Sequence, residues 1–254
     1  MISAIVLTKN EELNIEECLK SIRWADEIIV VDSKSTDQTI AIAANLNAKV
    51  YIRDFTNFSD QRNYAIGKCA GDWIFFLDAD ERVAGDFEKE VREIEKDSAL
   101  SPIAYRVDRL EYFMGKFIRH GGFGRGQHNH HIRFWKSGKL TFSGNVHEKL
   151  TTSGEVGRLS SVIEHYSNEG NVSGFIRKLN LYTDMEAAAW AADGAVSKFT
   201  LIARPIKNFA NRYIWLKGYK DGLRGLIYFL LLAFYDFVSC AKKIEKSMNL
   251  SRSG

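Results

Sequence analysis

Apolar residues in the first third of the chain fall into short unbroken runs, each stopped by a polar side chain. Ala4-Ile-Val-Leu7, Glu27-Ile-Ile-Val-Val-Asp32, Lys49-Val-Tyr-Ile52 and Trp73-Ile-Phe-Phe-Leu-Asp78 share this form. Such runs predict short strands buried on both faces. Between them the apolar spacing lengthens to the helical period. Ile15, Cys18, Leu19 and Ile22 make one stripe, and Ile40, Ala43 and Ala44 a second. Phe58 to Cys69 reads as a third helix, ended by Gly71. Asn14 with Glu17, and Ser35 with Gln38, have the spacing of capping boxes at the first two helix starts. The alternation predicts an α/β chain with a parallel, doubly wound sheet.

Past Glu81 the pattern changes. Phe87 to Lys96 predicts a charged surface helix, and Ile103–Val107 and Glu111–Phe113 predict strands. Gly115 to His131 carries five glycines and four histidines, His120, His128, His130 and His131. No cysteine accompanies them and the spacing is poor for zinc. The glycines predict a mobile lid over a substrate instead. His131-Ile-Arg-Phe-Trp135 alternates as a strand, Ser137-Gly138 turns, and Leu140–Phe142 is expected to return beside it as a hairpin. Residues 171–193 predict an amphipathic helix with Phe175, Ile176, Leu179 and Tyr182 on one face. Leu226 to Tyr235 is an apolar and aromatic run of ten residues that stops at Asp236. A spanning helix needs about 20 such residues. The run therefore predicts an interfacial helix, flanked by the cations Arg212, Lys217, Lys220, Arg224, Lys242, Lys243 and Lys246. The alternative is a core helix packed on the rest of the protein or on a second subunit.

Composition adds three constraints. With 254 residues and 45% hydrophobic content, the chain can bury one large α/β domain with an appendage. Cys18, Cys69 and Cys240 are far apart and odd in number, which suits a reducing compartment better than a disulfide framework. The opening Met1-Ile-Ser-Ala-Ile-Val-Leu7 lacks a basic start and is expected to be a strand, not a signal peptide. Charge is uneven: residues 198–254 hold 11 Lys and Arg against 3 Asp and Glu, while residues 1–197 hold 24 against 29. The basic tail implies an acidic partner. Its apolar runs favour an anionic membrane surface, and it lacks base-reading motifs, so no nucleic-acid partner is expected.

The candidate chemistry sits where the fourth run ends. Asp78 and Asp80 are expected to project from a central strand into a cleft, where ligands of open parallel sheets bind. Two carboxylates one residue apart suit Mg²⁺ or Mn²⁺ carrying a diphosphate. The plain alternative is a solvated turn. The chain has no G-x-G-x-x-G after its first strand and no Walker lysine motif, which disfavours dinucleotide and P-loop readings.

Four segments occur in order: Thr8-Lys-Asn-Glu11, Val31-Asp-Ser-Lys-Ser-Thr-Asp-Gln-Thr39, Gln61-Arg-Asn63 and Phe76-Leu-Asp-Ala-Asp80. Together they resemble the nucleotide-sugar half of an inverting family-two glycosyltransferase with a GT-A fold. Within that family the chain is similar to bacterial lipopolysaccharide-core β-1,4-glucosyltransferases, through its length, Gly144-Asn-Val-His-Glu148 and the basic, aromatic tail. The resemblance implies a Rossmann-like, mostly parallel sheet flanked by helices, with a helical, membrane-associating C-terminal appendage. It implies a catalytic domain over 1–165, with 1–100 holding the nucleotide sugar and 101–165 the acceptor side, and a helical region over 166–254.

The resemblance also implies site roles. Thr8, Glu11 and Asp32 surround the base and ribose, with Asn10, Ser33 and Gln61 in the same motifs. Arg62 lies against the base or diphosphate, and Asp80, with Asp78, holds metal and diphosphate. The candidate base is Glu148, with His147 to orient it or to contact phosphate, because an inverting transfer needs a carboxylate to take the acceptor's proton. This departs from the commoner Glu-Asp or Asp-Asp motif of the wider family. Asp32 as a helix-start residue, Arg62 as a solvated charge and Glu148 as a surface side chain are the structural alternatives. The expected reaction moves a hexose, glucose, from a UDP-sugar to a lipid-linked saccharide at the cytoplasmic face of the bacterial inner membrane. The rivals are transfer to polyprenyl phosphate and a non-catalytic sugar-nucleotide-binding membrane protein.

Overall fold

A computed structural model describes residues 1–97, 102–123, 130–144, 149–152, 154–167, 170–190 and 197–250. The first elements are β1 (Ile2–Thr8), α1 (Ile15–Ser21), β2 (Glu27–Asp32), α2 (Thr39–Asn45), β3 (Lys49–Ile52), α3 (Phe58–Ile66) and β4 (Trp73–Asp78). Then come β5 (Glu81–Ala84), α4 (Phe87–Lys96), β6 (Ala104–Phe113), β7 (Lys116–Ile118), β8 (His130–Lys136) and β9 (Leu140–Ser143). The last are β10 (Lys149–Thr152), β11 (Val156–His165), α5 (Val172–Ala189), α6 (Lys198–Phe209) and α7 (Gly222–Leu250). The chain separates into two compact units, Met1–Leu110 with Asn129–Asn168, and Glu111–His128 with Glu169–Gly254.

In the first unit, β3, β2, β1 and β4 lie side by side and parallel, as the alternation of strand and helix predicts. The sheet then turns antiparallel through β8 and β6 and ends on β11 and β5. β4 is buried on both faces. Trp73, Phe75 and Leu77 pack with Ile15, Leu19 and Phe87, while Ile74 and Phe76 pack with Ala65 and Trp135. Phe75 touches the rings of Trp24 and Phe87 at centroid distances of 5.9 and 4.7 Å. Truncating it to Ala would cost about 3–5 kcal/mol.

Local details depart from the sequence pattern. Asn14 occupies the N-cap of α1 without capping it; its side-chain amide donates to Glu11 Oε2 at 2.9 Å. The N-cap of α2 is Gln38, because Ser35 spends both its N–H and its hydroxyl on Asp32. α3 is capped by the Asn57 side chain and ends at Gly67. Gly71 is needed for another reason: a Cβ there would lie 2.5 Å from Ser3 Oγ and 2.8 Å from the Met1 carbonyl oxygen. The two strands expected over 103–113 are the single strand β6. The expected β8–β9 hairpin does not form. β8 has both edges taken, by β4 and β6, so β9 pairs with β10 in a separate two-stranded sheet.

The second unit is built around Phe229 of α7, which is fully buried among Phe113, Ile118, Phe123 and Tyr228. Gly121 and Gly218 admit that ring; a Cβ on them would lie 2.0 and 2.4 Å from its atoms. Gly121, expected as a hinge, is therefore a packing position. Residues 124–129 of the expected lid lie outside the described residues, while Lys116–Ile118 and His130–His131 belong to strands. β7 pairs back on Glu111–Phe113 across a turn at Met114 and Gly115, with φ of 49° and 83°. In α5 the buried positions include Leu179, Thr183 and Ala187, and Ile176 and Tyr182 of the expected face are exposed. α7 runs unbroken for 29 residues. Asp236 does not stop it, because Arg204 and Asn208 of α6 hold that carboxylate at 3.1 and 2.7 Å. The segment Gly218–Met248 is long and apolar enough to cross a membrane by length and composition.

Candidate active site

The parallel strands carry their terminal polar residues to one edge. Thr8 of β1 stands in register with Asp32 of β2, and Leu7 with Asp78 of β4. Asp32 is fully buried. One of its oxygens accepts the Ser35 N–H at 2.7 Å and the other the Ser35 hydroxyl. Gln61, 1% exposed, reaches over from α3 and donates through Nε2 to Ser33 Oγ at 3.0 Å. Two buried atoms of this group, Thr8 Oγ1 and Gln61 Oε1, have no hydrogen-bond partner among the described residues. Asn10 and Glu11 tie the first loop to the second. Asn10 Oδ1 accepts the Thr36 N–H, and the Asn10 and Glu11 N–H groups donate to Ser35 and Thr39, all at 2.8 Å.

Beside this end lies a cavity of about 300 Å³ lined by Arg62, Asp78, Arg109, His131 and Arg133, with the rings of Phe76 and Phe142. Its charges are interlocked. Arg133 Nη2 bridges Asp78 Oδ2 at 2.9 Å and Glu81 Oε1 at 2.7 Å. Arg109 adds a longer contact to Glu81 at 3.4 Å, and Glu81 Oε2 accepts the Asp78 N–H at 3.0 Å. Arg62 stacks on Phe76 and Phe142, 4.7 and 5.1 Å from their centroids. Burial works against the Asp78 carboxylate, but the Arg133 and Arg62 guanidiniums hold its pKa below the usual range. Burial wins at Glu81, whose pKa is raised even beside Arg133. Desolvation, then Arg133 and Arg109, push the His131 imidazole down to about 4.

Asp80 has a different partner. Its Oδ2 lies 3.0 Å from Nε2 of His165 at the end of β11, and both side chains are 15% exposed. The Asp80 carbonyl accepts the Tyr166 N–H at 2.8 Å, which pins the turn after β4 to that strand's end. Among the described residues no group of three or more His, Cys, Asp or Glu surrounds a single point. Glu148 and His147 lie outside the described residues. The chain is held firmly up to Gly144, whose carbonyl accepts from Ser59 Oγ at 2.7 Å, while Asn63 and Phe142 exchange two bonds at 2.8 and 3.2 Å.

The strand ends thus bring together Thr8, Asp32, Ser33, Gln61, Arg62 and Asp78, and set Asn10 and Glu11 in the loop beside them. Arg133, Arg109, Glu81, His131 and His165 join the site without having been singled out as site residues by the sequence. Two of the four histidines have partners or surroundings of their own. His120 pairs with Asp221 in the second unit, His131 lines the cavity in the first, and His128 lies outside the described residues.

Comparison with known proteins agrees with this geometry. Residues 3–165 match the family described as Glycosyl transferase family 2. The chain is 27% identical to an uncharacterized glycosyltransferase of Rickettsia typhi, over 97% of this chain and 88% of the relative. It is 27% identical to the lipopolysaccharide core biosynthesis glycosyltransferase LpsC of Rhizobium meliloti, over 96% and 92% of the two chains. Among solved structures it is similar to residues 1–349 of S. aureus TarS, with a TM-score of 0.52 and 16% identity over 98% of this chain and 91% of that one. The match over most of the chain, on a GT-A fold, makes this protein a glycosyltransferase belonging to family 2.

Proposed function

We propose that the protein transfers glucose from a UDP-sugar, with inversion, to a lipid-linked lipopolysaccharide-core saccharide at the cytoplasmic face of a bacterial inner membrane. The observation that carries the donor half is the pair of buried polar atoms, Thr8 Oγ1 and Gln61 Oε1, with no partners among the described residues beside Asp32. A buried polar atom with no partner costs roughly 1–3 kcal/mol. A nucleoside supplies the missing donors and acceptors. TarS has been solved with UDP-GlcNAc, which supports a uridine nucleotide sugar as donor class. The Rhizobium relative supports the acceptor class.

The Asp80–His165 pair fits a divalent cation by its chemistry. A carboxylate and an imidazole 3.0 Å apart offer one oxygen and one nitrogen donor, which favours Mn²⁺ over Mg²⁺. Asp78 already has one carboxylate oxygen clamped by Arg133. When bound, the metal supplies Lewis-acid neutralisation of the leaving diphosphate. Arg62 and Arg109 add fixed positive charge at the cavity wall, which favours the same group without reorganisation. Glu148 takes the acceptor hydroxyl's proton as that oxygen attacks the anomeric carbon opposite the departing UDP. The strand before it is anchored to α3 at Gly144, on the Arg62 side of the cavity.

The test is a panel of nucleotide sugars, each scored for transfer to core oligosaccharide and to polyprenyl phosphate. UDP-glucose with core oligosaccharide should turn over fastest. Transfer to polyprenyl phosphate alone would refute the acceptor, and preference for another donor would refute the sugar. Glu148→Gln should cut turnover about 10²–10⁴-fold and leave UDP-sugar affinity nearly unchanged. Near-wild-type turnover would move the base elsewhere.

A further inference from the structure

The second unit contains a cavity of about 540 Å³ whose lining shares no residue with the candidate site of the first. Lys116, Arg119, Lys220 and Arg224 line it, against the single carboxylate of Asp221. That carboxylate is already engaged. It accepts the N–H groups of Arg119 and His120 at 3.2 and 2.9 Å and meets His120 Nδ1 at 3.0 Å. Arg224 is fixed in place by its Nε bond to the Met114 carbonyl at 2.8 Å. Lys116, Arg119 and Lys220 are exposed. Tyr112 and Phe117, edge to face at 5.3 Å, supply an apolar wall. The cavity therefore has an excess of positive charge and partial shelter from water. Asp221 is the one carboxylate among its described lining residues.

Beyond the cavity the helical surface is apolar and exposed. Leu223, between two cavity residues, is 71% exposed, and Trp215 is 70% exposed. Leu223, Leu230, Phe234 and Phe237 recur along α7 at steps of seven, four and three residues, and all remain exposed. Such steps put them on one side of a helix. Phe199, Ile202 and Ile206 repeat the pattern on α6. An exposed apolar stripe of this length marks an interaction surface. Cations at the head of an apolar stripe match a molecule with an anionic head and a hydrocarbon body. A nucleic acid offers no hydrocarbon to the stripe, and a second copy would bring its own cations to the cavity.

We propose that this cavity binds the phosphate of an anionic membrane phospholipid, whose acyl chains lie against the exposed sides of α6 and α7. The proposal rests on the proposed membrane location and adds a headgroup site to it. Each Lys or Arg at an anionic surface contributes about 1 kcal/mol, so removing two should weaken binding about thirtyfold.

The test uses the full chain and vesicles of phosphatidylcholine, alone or with phosphatidylglycerol or phosphatidic acid. Wild type should sediment with both anionic mixtures. Lys116→Gln/Lys220→Gln should lose about thirtyfold in affinity while keeping its circular dichroism and UDP binding. A matched control, Lys207→Gln/Lys217→Gln, removes the same charge outside the cavity and should lose much less. Equal losses in the two variants would mean diffuse attraction and overturn the site. No vesicle binding by wild type would overturn the membrane reading itself. Glycerol phosphate competing as strongly as the lipid would reassign the cavity to a soluble phosphate ligand. Leu223→Ser/Phe234→Ser should weaken binding to every vesicle; unchanged binding would remove the acyl-chain half of the proposal.

Discussion

The two ends of the site handle buried polarity in opposite ways. At the ends of β1 and β2, Thr8 and Gln61 hold polar atoms out of water with no partner among the described residues. At the end of β4, Asp78, Glu81, Arg109 and Arg133 are tied together by contacts of 2.7 to 3.4 Å. The first end is incomplete without a ligand and is built for hydrogen-bond recognition. The second holds its carboxylates against fixed guanidiniums and is built to keep charges in fixed positions. Recognition can leave groups unpaired because each costs only roughly 1–3 kcal/mol. Buried charges cannot be left so, because an uncompensated one costs several kcal/mol. Substitutions at the two ends should therefore differ in sign as well as in size.

Asp80 carries the largest expected effect. Asp80→Ala removes the proposed metal carboxylate at the edge of the charged end. Turnover should fall on the order of 10³-fold, the scale for losing a fixed electrostatic stabiliser, with the unfolding midpoint nearly unchanged. Full activity of wild type in excess chelator would sink the metal assignment. Arg133→Met comes next. It leaves Glu81, which is fully buried, with the longer Arg109 contact in place of its 2.7 Å bond, and removes the bond to Asp78. Stability should drop by about 3–5 kcal/mol in urea unfolding. Adding Glu81→Gln should recover part of that loss. A drop below about 1 kcal/mol would show that the cluster tolerates a weakly paired carboxylate.

The difference between the ends also explains what the sequence could and could not reveal. Thr8, Asp32 and Asp78 were legible because each ends an apolar run, and parallel strands in register bring such ends together. Arg133 was not. It sits in an alternating strand, where a polar residue normally faces water, yet it is 5% exposed because Asp78 and Glu81 face it. Periodicity gives the face of a side chain and says nothing of what that face meets. His165 carried a usable signal, the inward alternation of Leu159, Ser161 and Ile163 leading to a histidine at the strand's end. The expected β8–β9 hairpin failed for a similar reason. A turn sequence gives local chain reversal, but whether an edge is free depends on strands far away in sequence. The length of α7 was hidden by Asp236, whose partners Arg204 and Asn208 lie 28 or more residues upstream.

Thr8→Val sharpens the contrast at the recognition end. Valine keeps the shape and removes the unpartnered hydroxyl. The ligand-free protein should be as stable as wild type, or more stable by up to about 1 kcal/mol, while UDP binding weakens by about 0.5–1.5 kcal/mol. Thermal unfolding with and without UDP reads both signs in one experiment. Loss of stability without UDP would mean that the hydroxyl has a structural partner, and the recognition reading of that atom would fall.

The smallest expected effect tests whether the charged end extends its field to the cavity mouth. His131 lies there, exposed by surface area yet crowded by neighbouring atoms. Desolvation together with Arg133 and Arg109 lowers its pKa to about 4, a shift that solvent at its open face screens. The imidazole should therefore stay neutral at neutral pH. In the unfolded chain a histidine takes its proton near pH 6.5, so between about pH 6.5 and 4 the unfolded state binds more protons than the folded one. His131 then contributes stability that is complete above about pH 6.5 and is lost as pH falls toward about 4. A neutral imidazole can accept a hydrogen bond from a substrate hydroxyl, which a protonated one cannot. Following the His131 ring protons by NMR should give a midpoint near about 4 in wild type. The Arg109→Met variant should move it upward, because one of the cations opposing the proton is gone. A wild-type midpoint near about 6.5, unmoved in the variant, would mean that the arginine field ends inside the cavity and does not reach its mouth.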